Sequence, residues 1–136
     1  MTLERLVFAG AVGGCVTIFS SWLIIGHLFH RYQSLTPGTW RPEGPRQYAW
    51  SSVLQVFAGA AVGSLFFVTG GGAGLEQGWA VRGIVFGGLA WLAVACPIHL
   101  TTALYVRLHI GHVVGALLDS LAGLMIVSCA CAFAAR

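Results

Sequence analysis

The sequence predicts an all-α integral membrane protein, a single domain over 1–136 built as a bundle of four transmembrane helices. Three observations carry this. Hydrophobic residues make up 57% of the 136-residue chain and charged residues 8%, whereas about a quarter of an ordinary soluble domain is charged. The apolar residues gather into four stretches, 6–29, 48–70, 83–105 and 110–134, each long enough for the roughly 20 residues that cross a hydrocarbon core. All seven basic residues are arginine and stand near the ends of those stretches, where their stems stay in lipid while the guanidinium reaches headgroups. A nucleic-acid binder would cluster its basic residues on one face, so no nucleic-acid partner is expected.

The first stretch contains Val12-Gly13-Gly14-Cys15, which loosely resembles a lipoprotein cleavage box. Arg5 is offset by Glu4 and the apolar run continues to Phe29, the pattern of a spanning helix and not of a cleaved signal. The loop 31–47 holds Pro37, Pro42 and Pro45, which keep it from being helical. It is expected at the interface, with Trp40 and Tyr48 at headgroup depth. Arg41 there is placed to meet an anionic headgroup or a partner's carboxylate.

After the second stretch, Gly70-Gly71-Gly72-Ala73-Gly74 reads as a flexible turn. It lacks the Lys-Ser/Thr pair and the preceding strand of a phosphate loop. The third and fourth stretches are separated by Val106 to His109 alone, which predicts a tight antiparallel hairpin. Four crossings put both termini on one side. The arginine count nearly ties, with Arg31, Arg41, Arg46 and Arg107 facing Arg5, Arg82 and Arg136; the flanks of the first helix place the two loops in the cytoplasm. An inner or intracytoplasmic bacterial membrane is the expected location.

Cys15, Cys96, Cys129 and Cys131 lie inside apolar stretches without zinc or C-x-x-C spacing, so they read as small buried hydrophobes. Glycines recur four apart: Gly10 with Gly14, Gly59 with Gly63, Gly83 with Gly87, Gly111 with Gly115. Lipid offers no hydrophobic drive between helices, so such faces are where backbones approach closely. They are candidate packing faces towards a neighbouring helix, another subunit or a second copy.

Alternating helices bring all five histidines into one half of the bilayer. His27 and His30 end the first helix, His109 and His112 begin the fourth, and each pair is three apart, a spacing that puts both rings on one helical face. Four imidazoles suit a metal ion, but no carboxylate or thiolate stands beside them, so metal is not favoured. Neither is haem, since His99 lacks an imidazole at its own depth. Bound lipid is the expected companion.

Asp119 is about 13 Å deep in the fourth helix, His99 about 9 Å in the third and Gln55 about 10 Å in the second, at 1.5 Å per residue. With Ser20 and Ser21 of the first helix they form an expected intramembrane polar layer. An ionisable residue in a span is costly and faces the protein interior or a water-filled cavity. Pro97, two residues before His99, breaks the helical hydrogen bonding there. No nucleophile, base and orienting group have catalytic spacing, so an enzyme acting alone is not expected. Two functions follow. One is an accessory subunit packing through its glycine faces against a larger energy-transducing or oxidation complex; the other is a homo-oligomeric transporter or channel that uses the polar layer for a proton or metal ion.

Overall fold

A computed structural model describes residues 2–40, 44–71 and 78–136. Among these residues there is no strand, and four helices are long and apolar enough to span a membrane: α1 (Leu3–Leu28), α2 (Pro45–Val68), α3 (Trp79–Tyr105) and α4 (Ile110–Ala134). A helix satisfies every backbone group within itself, which a segment in lipid must do. α2 begins at Pro45, so this proline opens a helix where the sequence reading had it interrupt a loop. At the first helical position its missing N–H is one that would go unbonded anyway. Arg41, and the end of the glycine run beyond Gly71, lie outside the described residues.

Glycines set the helix order. A Cβ on Gly10 or Gly59 would strike the other's carbonyl oxygen, one on Gly14 would come 2.9 Å from Val56 Cα, and one on Gly63 would meet Leu6 O. Residue numbers rise on one helix as they fall on the other, so α1 and α2 pack antiparallel with backbones in contact. Gly13 against Val127 and Thr17 against Gly123 place α4 on another side of α1. Gly83 against Cys129 and Gly87 against Met125 place α3 on α4. The helices therefore run in the order α2, α1, α4, α3. Gly111 and Gly115 do different work, receiving the rings of Tyr32 and Phe29.

The end of the bundle nearest the termini is closed. Leu6, Phe66, Val127, Cys131 and Ala132 form one buried apolar cluster with Phe86 packed against it. Phe66 and Phe86 meet edge to face at 4.9 Å, joining α2 to α3 across the array. Arg82 donates two hydrogen bonds to Gly71 O, at 2.9 and 3.2 Å. Gly70 and Gly71 take positive φ, 70° and 56°, a conformation in which glycine carries no steric penalty.

Towards the opposite, loop-bearing end α3 leaves α4. Most of its contact with α4 lies between Trp79 and Ala90 and little beyond Cys96. The two helices run antiparallel but splay towards their connection, where a tight hairpin was expected. The divergence starts at a π-helical turn, Trp91–Ala95, directly before Pro97. A proline ring clashes with the carbonyl four residues earlier, here that of Ala93, and the widened turn makes room for it. A second π-helical turn, Ile24–Leu28, ends α1. Such turns are rare and gather at functional sites.

Candidate functional site

α1 contributes Thr17 and Ser21, one turn apart on the face between α2 and α4. The Thr17 hydroxyl lies 2.7 Å from Gly14 O and 3.2 Å from Gln55 Oε1 of α2. Ser21 Oγ donates to Asp119 Oδ1 of α4 at 2.8 Å. His99 of α3 lies within electrostatic reach of both Asp119 and His112. Each of the four helices therefore brings a polar side chain to one discontinuous path, in which hydrogen bonds join Thr17 to Gln55 and Ser21 to Asp119. Ser20, expected in this layer, turns its hydroxyl back to Thr17 O at 3.1 Å, the local bond that short hydroxyl side chains make within a helix.

Trp91 fastens the edge of this path. Its indole N–H is shared between Leu117 O and Ser120 Oγ, each at 3.1 Å. Buried indoles ordinarily find such a partner. Because Trp91 opens the π-turn, α3 is tied to α4 just before the two separate.

The wedge beyond it is a cavity of about 280 Å³ lined by Trp40, His99, Thr102, His112, Val113 and Ala116 among others. The loop after α1 folds over it. Trp40 packs edge to face on His112 with centroids 4.5 Å apart, while its indole N–H donates to Thr36 Oγ1 at 3.2 Å. Thr39 Oγ1 donates to Arg107 O at 3.3 Å, holding the loop to the α3–α4 connection. His112 is 8% exposed, and its Nδ1 has no hydrogen-bond partner among the described residues. Most buried polar atoms are bonded, so an orphaned one calls for an explanation. Among the described residues Ser128 Oγ is also buried without a partner, and it lies in the closed end.

The four terminal histidines do not converge, and no three His, Cys, Asp or Glu among the described residues are grouped to hold a metal ion. His27 is exposed and stacks on Trp22 at 6.3 Å. His30 stands beyond the helix in a 3₁₀ turn. His109 is the N-cap of α4, in extended conformation with ψ 136°, and its Nδ1 accepts from Gly111 N at 3.0 Å while its ring stacks on Tyr32 at 4.9 Å. The three-residue rule for a shared face holds only inside a regular α-helix. Both pairs have a member outside one, so the spacing carries no metal geometry. The structure does bring His112 to the same cavity as His99, which the depth count from sequence had left without an imidazole partner.

All eight glycines of the expected packing faces meet residues of this same chain. None of those faces is left free for docking. What does remain open is a groove of about 740 Å³ along α2, lined by Arg46, Gln47, Trp50, Ser51, Leu54, Gln55 and Ala58. Comparison with protein-family models, with curated proteins and with solved structures finds no match for this chain.

Proposed function

We propose that the protein is a small membrane transporter or channel that moves protons through its intramembrane polar path. The observation that carries this reading is the asymmetry of the bundle. Thr17, Ser21, Gln55, His99, His112 and Asp119 stand on one side of a level where Leu6, Phe66, Val127 and Cys131 form one buried cluster. Polar residues at bilayer depth are expensive and mark ion or proton pathways. A half-path ending on an apolar seal is what alternating exposure to the two sides requires. Asp119 receives and returns the proton, Ser21 holds the carboxyl group in place, and His99 links it to the loop-bearing side. Among the described residues no three His, Cys, Asp or Glu are grouped as metal ligands, which favours the proton over a metal ion.

The test is proton uptake by vesicles containing the purified chain and a pH-sensitive dye, under an imposed pH gradient. Wild-type vesicles should acidify faster than empty ones, and Asp119→Asn should return the rate to that of empty vesicles. A variant as fast as wild type, or a proton-tight wild type, would overturn the proposal.

A second reading, a subunit of a larger membrane assembly, is favoured by the α2 groove. Gln47 and Ser51 are exposed on a spanning helix, and protein covers polar groups at that depth better than lipid does. Native mass spectrometry of the chain extracted from its own membrane separates the cases. Mixed masses support the assembly, while a multiple of 14.3 kDa supports an oligomer of this chain.

A further inference from the structure

We infer that the open groove along the loop-bearing half of α2 is a site for one anionic phospholipid, with its phosphate at Arg46 and its glycerol esters at Gln47 and Ser51. This stands apart from the transport reading and holds whether or not the chain moves protons.

The order of side chains along the helix selects that occupant. Arg46, Gln47, Trp50, Ser51, Leu54 and Ala58 are all exposed, and every residue lining the groove belongs to α2. The groove therefore opens sideways to the bilayer and does not enclose a small molecule. At about 1.5 Å per residue, Ser51 stands about 8 Å deeper than Arg46 and Ala58 about 18 Å deeper. The polar layer of a bilayer is about 5–8 Å thick on each side of its hydrocarbon. A cation, two hydrogen-bonding side chains and then an apolar stretch thus follow one another over the same distances as the phosphate, esters and chains of a phospholipid. Gln55, deeper than Ser51, turns its Oε1 to Thr17 of α1 at 3.2 Å.

The donors and charges select the headgroup. The side chains of Arg46, Gln47, Trp50 and Ser51 donate to no group among the described residues, whereas the adjoining Ser52 gives its proton to Tyr48 O at 2.9 Å. Hydrocarbon offers such donors nothing, but phosphate and ester oxygens accept from them. An arginine fork pairs with two phosphate oxygens while its stem lies along apolar surface. Trp50, 60% exposed, stands where indoles favour the membrane interface. The loop-bearing side carries Arg31, Arg41, Arg46 and Arg107 against Glu43 alone, which favours an anionic headgroup over a zwitterionic one. A second copy fits less well. It would share this chain's orientation in the membrane, so a two-fold partner across this face would set Arg46 against Arg46 at one depth.

The test titrates the purified full chain in mixed micelles with phospholipids whose acyl chains are brominated, reading tryptophan fluorescence, which bromine quenches on contact. One series carries the phosphatidylglycerol headgroup and the other phosphatidylcholine on the same chains. The signal belonging to the groove is the part that disappears in Trp50→Phe. Phosphatidylglycerol should quench it at an about fivefold lower mole fraction than phosphatidylcholine, the worth of one arginine beside an anionic headgroup. Arg46→Gln should make the two lipids equal, and Arg46→Lys should keep most of the preference. Both Arg46 and Trp50 are exposed, so these variants leave the packing of the bundle untouched. Glycerol 3-phosphate, added at constant ionic strength, should leave the quenching in place. Equal quenching by the two lipids in wild type, or a preference that survives in Arg46→Gln, would overturn the assignment. So would displacement by glycerol 3-phosphate, which would assign the groove to a free phosphate compound. A groove signal shielded from both lipids would overturn it as well, since protein would then cover this face.

Discussion

Among the described residues Asp119 accepts a hydrogen bond from Ser21, and that bond ties α1 to α4. Interhelical hydrogen bonds in membranes contribute on average about 0.6 kcal/mol, and a partner left unsatisfied adds to the loss. Ser21→Ala should therefore destabilise the protein by about 1 kcal/mol in reversible unfolding in mixed micelles, while Ser21→Thr, which keeps the hydroxyl, should stay near wild type. Asp119, His99 and Gln55 are legible in the sequence as a layer because a polar side chain in a span has few alternatives to facing protein. Thr17 was missed, although it stands four residues before Ser21 on the same face, because a lone threonine in an apolar run carries no signal of its own. Trp40 was not legible: its loop folds inward through contacts with α4 and the α3–α4 connection that no local pattern encodes.

The four helices follow directly from apolar length, and their ends shift by only a few residues, chiefly where Pro45 and Trp79 start helices earlier than the hydropathy alone placed them. Glycine spacing told where backbones approach but not which backbone. Gly10, Gly14, Gly59 and Gly63 form one interface and Gly83 and Gly87 another, whereas Gly111 and Gly115 accept rings from the end of α1 and the loop. A Cβ on Gly59 would meet Gly10 O and stand 2.9 Å from Gly14 Cα, while one on Gly88 would meet nothing within 4 Å. Gly59→Ala should thus cost about 1–3 kcal/mol by forcing α1 and α2 apart. Gly88→Ala should be neutral or stabilising by up to about 1 kcal/mol, because alanine is the better helix former. Thermal unfolding of the two variants side by side checks both, and similar losses would mean that the α1–α2 interface is looser than described. The histidine pairs misled for an element-scale reason: one member of each falls on a cap or past a helix end, where the period of 3.6 no longer applies.

At the scale of the molecule, the bundle is sealed at one end and split at the other. Phe66 is fully buried and touches Phe86 of α3, so it joins α2 to α3 in the seal, beside the close backbone packing of Gly63 on Leu6 and Gly83 on Cys129. Cys131 is also fully buried in that cluster. In a chain whose remaining cysteines are replaced, a water-soluble maleimide should label Cys131 very slowly, and Phe66→Ala should raise the labelling rate roughly tenfold or more by opening a cavity beside it. An unchanged rate would show that the seal does not depend on the phenylalanine pair. Nothing in the sequence announces this asymmetry, because Phe66 and Phe86 stand in different helices and neither belongs to a motif.

A π-helical turn is what a helix does with one residue too many: the extra residue is absorbed as a bulge instead of being passed along the spiral. Two such surplus residues sit in this chain, one in Ile24–Leu28 and one in Trp91–Ala95. They flank α4 on either side of the level from Gly115 to Ser120, which Phe29 and Trp91 touch. A pair of uninterrupted helices of ordinary count would lie along α4 for their whole length. The cavity opens past the second of these turns, between His99 and Thr102 on α3 and His112 and Ala116 on α4, so the residue count of a helix, as much as its side-chain chemistry, shapes the space beside it.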